Sequence, residues 1–172
     1  MLDALRARIR DVVDFPKPGI VFKDITPLLG DPHTFNLMIN LLADRYIGVH
    51  VDRIVGVEAR GFIIGAALAY KLNCGFVPVR KSGKLPAQTL QAEYELEYGT
   101  DKLEVHYDAL IPGAQIVLVD DLIATGGTIA AVINLLHRLQ CDIVEIACLI
   151  ELSFLHGRQR LEGYKVFSLL QY

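Results

Sequence analysis

Apolar positions fall into two rhythms along this chain. Leu2, Leu5, Ile9 and Val12 or Val13 recur at helical spacing, so residues 2 to 13 are predicted to form a short amphipathic helix with Arg6, Arg8 and Arg10 largely on other faces. The stretch FPKPGIVFKDITPLLGDP follows, and its four prolines interrupt any regular element. Asp31 with Pro32 then supplies a cap and first turn for a helix running through about Tyr46. Short β-rich runs come next: RIVGVE (53 to 58), FVPVR (76 to 80), QIVLVD (115 to 120), DIVEIACLIE (142 to 151) and YKVFSLL (164 to 170). Helical segments near 61 to 72 and 127 to 139 separate some of these runs. The alternation predicts one α/β domain over residues 1 to 172, with a mainly parallel sheet and helices on its faces. Residues 81 to 112 break the pattern with polar, acidic, Gly- and Pro-interrupted sequence, and a long mobile loop or two-stranded flap is expected there.

Composition narrows the class. At 172 residues the chain can bury a substantial single core, and 52% hydrophobic with 22% charged residues is ordinary for a globular domain. A net charge of -3 argues against a general nucleic-acid binder. Cys74, Cys141 and Cys148 are odd in number and lack C-x-x-C spacing, which favours neither a disulfide framework nor a zinc site and fits a reducing cytoplasm. The charged N-terminal stretch MLDALRARIRDVVDF is unlike a signal peptide, and no apolar run approaches the length of a membrane span, so a cytoplasmic location without membrane partners is expected.

Candidate chemistry centres on VLVDDLIATGGTIAAVINLL, residues 117 to 136. In open α/β sheets ligands bind beyond the carboxyl ends of the strands, which is where the 115 to 120 run meets Asp120 and Asp121. The following ATGGT, residues 124 to 128, combines two glycines, two hydroxyls and a helix N-terminus, a set suited to cradling a phosphate. Two adjacent carboxylates beside a phosphate repel each other, by about 1 kcal/mol at ~4 Å in water and about 4 kcal/mol at an effective dielectric of about 20. Paired hydroxyl donors offset this, as do a developing sugar cation or a Mg²⁺ ion, and a ribose offers two vicinal hydroxyls. A sugar phosphate is the ligand class so implied. Other nucleotide motifs fit poorly: no G-x-G-x-x-G follows a strand, and the spacing from Gly56 to Gly61 continues with Phe62 where a P-loop needs lysine. His33, His50, His106, His137 and His156 show no metalloprotease spacing, and no serine sits in a G-x-S-x-G turn.

VLVDDLIATGGT resembles the phosphoribosyl pyrophosphate (PRPP) signature of the type I phosphoribosyltransferases. DFPKPGIVFKDITPLL (14 to 29), GVEARGFIIG (56 to 65), VPVRKSGKLP (77 to 86) and YELEYGTDKLEVH (94 to 106) are similar, in order, to the adenine phosphoribosyltransferase family. The resemblance implies the type I phosphoribosyltransferase fold: a twisted, mainly parallel sheet with a small N-terminal hood over about residues 1 to 35 and a flexible flap over about 81 to 112. It further implies conversion of adenine and PRPP to AMP and pyrophosphate in purine salvage, with Mg²⁺ held mainly by PRPP and water rather than by direct protein ligands, in a homodimer.

Residue roles follow from the same resemblance. Ala124, Thr125, Gly126, Gly127 and Thr128 would hold the 5-phosphate, and Asp120 and Asp121 would face the ribose hydroxyls. Arg60, Arg80, Lys81 and Lys84 form a basic group in an acidic chain and would receive the pyrophosphate. Phe22 would stack on adenine while the backbone at Val21 and Lys23 reads its polar edge. Glu97 and Tyr98 match the family's flap, where the carboxylate is expected to help move the base proton and the tyrosine to close the site. Two alternatives remain open: a phosphoribosyltransferase for another purine, and a non-catalytic PRPP-sensing regulator, which ordinarily adds a basic DNA-binding domain.

Overall fold

The computed structural model describes residues 1–95 and 100–172. Among them, a main sheet of seven strands runs in the order β5-β6-β4-β3-β7-β8-β9. Its central strands β3 (Arg53–Val57), β4 (Gly75–Lys81), β7 (Gln115–Ile123), β8 (Asp142–Glu151) and β9 (Val166–Gln171) are parallel. The antiparallel pair β5 (Thr89–Glu95) and β6 (Thr100–His106) completes one edge, with β6 joined to β4. The fold class is therefore as the sequence implies.

The continuous apolar strands are explained by burial on both faces. Along β3, Val55 and Val57 enter one core, beneath α5 (Gly127–Arg138), while Ile54 enters the other. β7 divides likewise, Ile116 and Leu118 against Val117 and Val119. The second core lies against α3 (Pro32–Asp44) and α4 (Arg60–Leu72). The Asp31 cap holds as predicted, its carboxylate accepting the His33 and Thr34 amides at 2.9 and 3.0 Å.

The N-terminal expectation needs correction. The helix over 2 to 13 stops at Arg6, leaving α1 (Leu2–Arg6), and the chain then forms β1 (Arg10–Val13), antiparallel to β2 (Val21–Asp24). Cross-strand partners explain why pairing overrides periodicity: Lys23 Nζ meets Asp11 at 2.7 Å, Arg10 meets Asp24 at 3.3 Å, and Val12 lies opposite Phe22. The proline-rich stretch also contains a short helix, α2 (Thr26–Gly30), with proline in its first turn and the Asp24 carboxylate accepting the Thr26 amide at 2.9 Å.

Within 81 to 112, β5 and β6 form a ribbon whose base is fused to the main sheet, with Leu103 and Val105 in the core. Glu104 is buried on this ribbon, 2% exposed, where its Oε1 accepts the Lys84 and Leu85 amides, both at 2.9 Å. Burial raises its pKa, but these backbone donors prevail and hold the carboxyl below its ordinary range. It anchors the 84–85 turn to the ribbon.

Candidate active site

The site is built at the carboxyl ends of β3 and β7. β7 runs through Asp120 and Asp121 to Ile123, beyond the strand end predicted at 120, because Leu122 and Ile123 continue the pairing with Ile150 and Glu151. Both aspartates are therefore held by strand geometry and are buried, 8% and 6% exposed. Asp121 Oδ2 pairs with Arg60 Nε at 2.6 Å, while Asp120 Oδ1 accepts the Asp121 amide at 2.8 Å. Burial first, and the neighbouring Asp121 charge second, push the Asp120 carboxyl well above its ordinary pKa. The two side chains thus differ in partner, Asp121 being bound by Arg60 and Asp120 by the neighbouring amide.

The glycines of GVEARGFIIG serve close packing. A Cβ on Gly61, in the first turn of α4, would lie 2.9 Å from Asp120 Oδ1 and 3.1 Å from Val119 O. Its absence lets α4 rest on β7 and enclose Asp120. One on Gly56 would meet the Phe76 ring at 2.5 Å, and one on Gly65 the same ring at 2.8 Å.

Residues 124 to 128 turn from β7 into α5, and no acidic residue occupies the first turn of α5 to compete with an incoming anion. Gly126 adopts φ +80°, a left-handed conformation suited to glycine. The loop, Asp120, Asp121, Arg60, Lys81 and Tyr94 line a cavity of about 380 Å³.

At its rim, Glu58 gathers the other predicted cations. Its carboxylate accepts from Lys84 Nζ at 2.8 Å, Arg80 Nη2 at 3.2 Å and the Lys81 amide at 3.0 Å. Partial burial raises the Glu58 pKa, but these donors outweigh it and bring it down to about 2. Lys81 Nζ pairs separately with Asp101 at 3.0 Å. The peptide bond following Glu58 is cis.

A second cavity, of about 680 Å³, shares Leu122 and Ala124 with the first. Its walls include Val21, Phe22 and Lys23 of β2, along with Leu152, Phe154 and Tyr172, and its lining is mostly apolar. Phe22 packs edge-on against Phe15 with ring centroids 5.2 Å apart, and the Arg60 guanidinium lies 5.0 Å from the Phe22 centroid. Val21 and Lys23, two apart on β2, turn their backbone groups to a common edge. The Lys23 side chain pairs with Asp11 and lies 4.2 Å from the centroid of the Tyr172 ring, both of them walls of the same cavity.

Of the predicted residues in the described chain, Asp120, Asp121, Arg60, Lys81 and residues 124 to 128 line the first cavity and Val21, Phe22 and Lys23 the second, while Arg80 and Lys84 line neither and are held on Glu58 of the first. Glu97 and Tyr98 lie outside the described residues. Sequence reasoning missed Glu58, although its place at the end of a buried strand beside Arg60 was a usable signal. It also missed Leu122, Phe154 and Gly157. The last has no local signal, since a Cβ there would lie 2.3 Å from Ala124 O, a contact made only in the folded chain. Among the described residues no three His, Cys, Asp or Glu side chains cluster to hold a metal, and no helix is long and apolar enough to cross a membrane.

Comparison with known proteins gives one family. Residues 35–170 match the model of the phosphoribosyl transferase domain. The adenine phosphoribosyltransferase of Syntrophotalea carbinolica is 60% identical over 171 residues, covering 99% of this chain and 100% of that protein. A crystal structure of adenine phosphoribosyltransferase from Thermoanaerobacter pseudethanolicus superposes with a TM-score of 0.97 at 53% identity, covering all of both chains. The Saccharomyces cerevisiae adenine phosphoribosyltransferase, crystallised with D-2,5-dideoxy-2,5-imino-altritol 1,6-bisphosphate and adenine, gives 0.94 at 40% identity and covers 98% of each chain. On sequence and fold alike, the chain belongs to the adenine phosphoribosyltransferases, within the phosphoribosyl transferase domain family.

Proposed function

We propose that this protein transfers the phosphoribosyl group of PRPP to adenine, releasing pyrophosphate and forming AMP. The carrying observation is the pair of cavities joined at Leu122 and Ala124, one with a phosphate loop and two acids, the other apolar and walled by β2. A sugar phosphate in the first cavity presents its anomeric carbon toward a flat base in the second.

The 5-phosphate is received by residues 124 to 128, whose backbone amides and threonine hydroxyls match an anion at the start of α5. Asp120 and Asp121, adjacent at the end of β7, accept from the vicinal ribose hydroxyls. Departure of pyrophosphate leaves positive charge on the ring, which neighbouring acids stabilise better than water displaced from the site. Arg60, Arg80, Lys81 and Lys84 receive the pyrophosphate by exchanging their carboxylate partners for it.

In the second cavity, Phe22 covers the adenine ring, and backbone groups at Val21 and Lys23 pair with its amino group and ring nitrogen. A 6-oxo purine opposes like groups at those positions and is rejected. Glu97 takes part in moving the base proton, and Tyr98 closes the flap. A Mg²⁺ ion carried on PRPP, with water completing its shell, would supply charge neutralisation at the leaving pyrophosphate beside Arg60, Arg80, Lys81 and Lys84.

Ile63 and Tyr70, one face of α4, are 45% and 90% exposed, which supports assembly of two copies. Three unpaired cysteines support a cytoplasmic location. The test is product analysis after incubation with PRPP, Mg²⁺ and adenine, hypoxanthine or xanthine. AMP should predominate. IMP or XMP as main product would establish another purine specificity, and PRPP binding without pyrophosphate release would establish a sensor.

A further inference from the structure

Behind the loop of residues 124 to 128, two stretches of backbone meet at a pair of glycines, beside the Ile123 side chain. A Cβ on Gly126 would lie 2.5 Å from Gly157 O, and one on Gly157 would lie 2.3 Å from Ala124 O and 3.1 Å from the Gly126 amide nitrogen. The loop that presents amides to the phosphate thus rests on the main chain at Gly157. A cradle made of backbone donors works only if it is held in shape, because anions are bound by preorganised amides rather than amides gathered on arrival.

The Gly157 seat is itself pinned. The neighbouring Arg158 donates from Nε and Nη2 to the two carboxylate oxygens of Glu151, both at 2.7 Å, and from Nη1 to Val166 O at 2.8 Å. Ser168 Oγ completes the set, donating to Glu151 Oε2 at 2.6 Å. Glu151 is 5% exposed and ends β8, where it lies in register with Ile123, the last residue before the loop, and the next amide, Leu152, donates to Ile123 O at 2.9 Å. A closed circuit results, from Ile123 through the loop to Gly157, Arg158, Glu151 and back to Ile123. The cationic fork suits this task because both ends of its bidentate contact are geometrically fixed.

We propose that Arg158 and Glu151 are positioning residues for PRPP, holding the phosphate loop in its binding shape through the Gly157 turn. The proposal rests on the phosphoribosyl reading above, and it extends the site to residues that line neither ligand cavity.

The experiment uses two variants of the full chain. Glu151→Gln with Arg158→Gln removes both charges together, so neither is left buried alone. Gly157→Ala keeps the pair and forces the seat away from the loop. In both, amide hydrogen exchange at residues 124 to 128 is followed without substrate, and kcat and KM for PRPP are then measured. The expected result is faster exchange at the loop, unchanged exchange in α3, and a rise of about tenfold or more in KM for PRPP that exceeds the fall in kcat. Unchanged loop exchange and PRPP KM in both variants would overturn the proposal, as would acceleration spread evenly over the chain. Failure of the unaltered protein to release pyrophosphate from PRPP and adenine overturns the functional reading instead, while the exchange data still decide whether the circuit holds the loop.

Discussion

β8 carries a buried glutamate near each end, and the two have nearly the same surroundings. Glu145, toward the start of the strand, is 5% exposed, takes a two-pronged contact from Arg45, including Nη2 to Oε1 at 2.6 Å, and accepts from Tyr46 Oη at 3.0 Å. Glu151, at the strand's end, has the same exposure, an equivalent fork from Arg158, and Ser168 in place of the tyrosine. Their surroundings differ in what each arginine holds. Arg45 belongs to the end of α3, on the side of the sheet away from the phosphate loop, whereas Arg158 adjoins the glycine on which that loop rests. Identical chemistry stabilises the molecule at one end of a parallel sheet and shapes a site at the other, because parallel strands deliver all their carboxyl termini to the same edge.

The contrast can be tested first at the site itself. Asp120→Asn with Asp121→Asn should lower kcat/KM roughly 100-fold or more in a coupled pyrophosphate assay, since the two acids proposed to bind ribose lie at the carboxyl end of β7. Normal activity would contradict the ribose assignment. A smaller but still large effect is expected for Glu97→Ala, about tenfold or more in kcat with PRPP affinity nearly unchanged by calorimetry. An unaltered kcat would remove Glu97 from the mechanism.

At the opposite edge, Arg45→Gln should cost about 2 kcal/mol in urea unfolding and leave KM for PRPP unchanged. The loss is smaller than for a fully buried pair because the Arg45 side chain remains 41% exposed. A PRPP defect comparable with that of the Arg158 variant would erase the distinction between the two ends.

The smallest effect concerns Glu58. Its folded pKa of about 2 lies below the ordinary 4.5, so its stabilising contribution is complete above about pH 4.5 and is lost as the pH falls toward 2. Glu58→Gln should therefore remove about 1 kcal/mol at neutral pH and little at pH 2, measured as urea midpoints across that range, since Arg80 and Lys84 are partly solvated. A constant difference at every pH would mean that the carboxylate charge is not what the cations recognise.

How far these features were legible in the sequence varies with the range of the interactions that make them. The arrangement of VDDLIATGGT could be read directly, because a strand end, adjacent acids and a glycine turn lie within a dozen residues. Its strand nevertheless runs to Ile123 rather than 120, since pairing with Ile150 and Glu151 extends it. Helical periodicity over residues 2 to 13 was misleading, because the partners of Arg10 to Val13 lie beyond a proline-rich turn. Glu104 could be mistaken for one more charge in an acidic ribbon until the folded 84–85 turn placed two amides on its carboxylate.

By itself, the sequence determined the alternation of buried strands and amphipathic helices, the Asp31 cap, and the placing of two acids and a glycine turn between β7 and α5. Each depends on side-chain period or on groups a few bonds apart. Only the tertiary structure decided which aspartate would be bound by Arg60, that Glu58 would gather the rim cations, and that Gly157 would lie beneath Gly126. Those outcomes depend on strands and turns far apart in the chain being brought to one edge of the sheet, where desolvation and direct contact set charge and shape that no local pattern encodes.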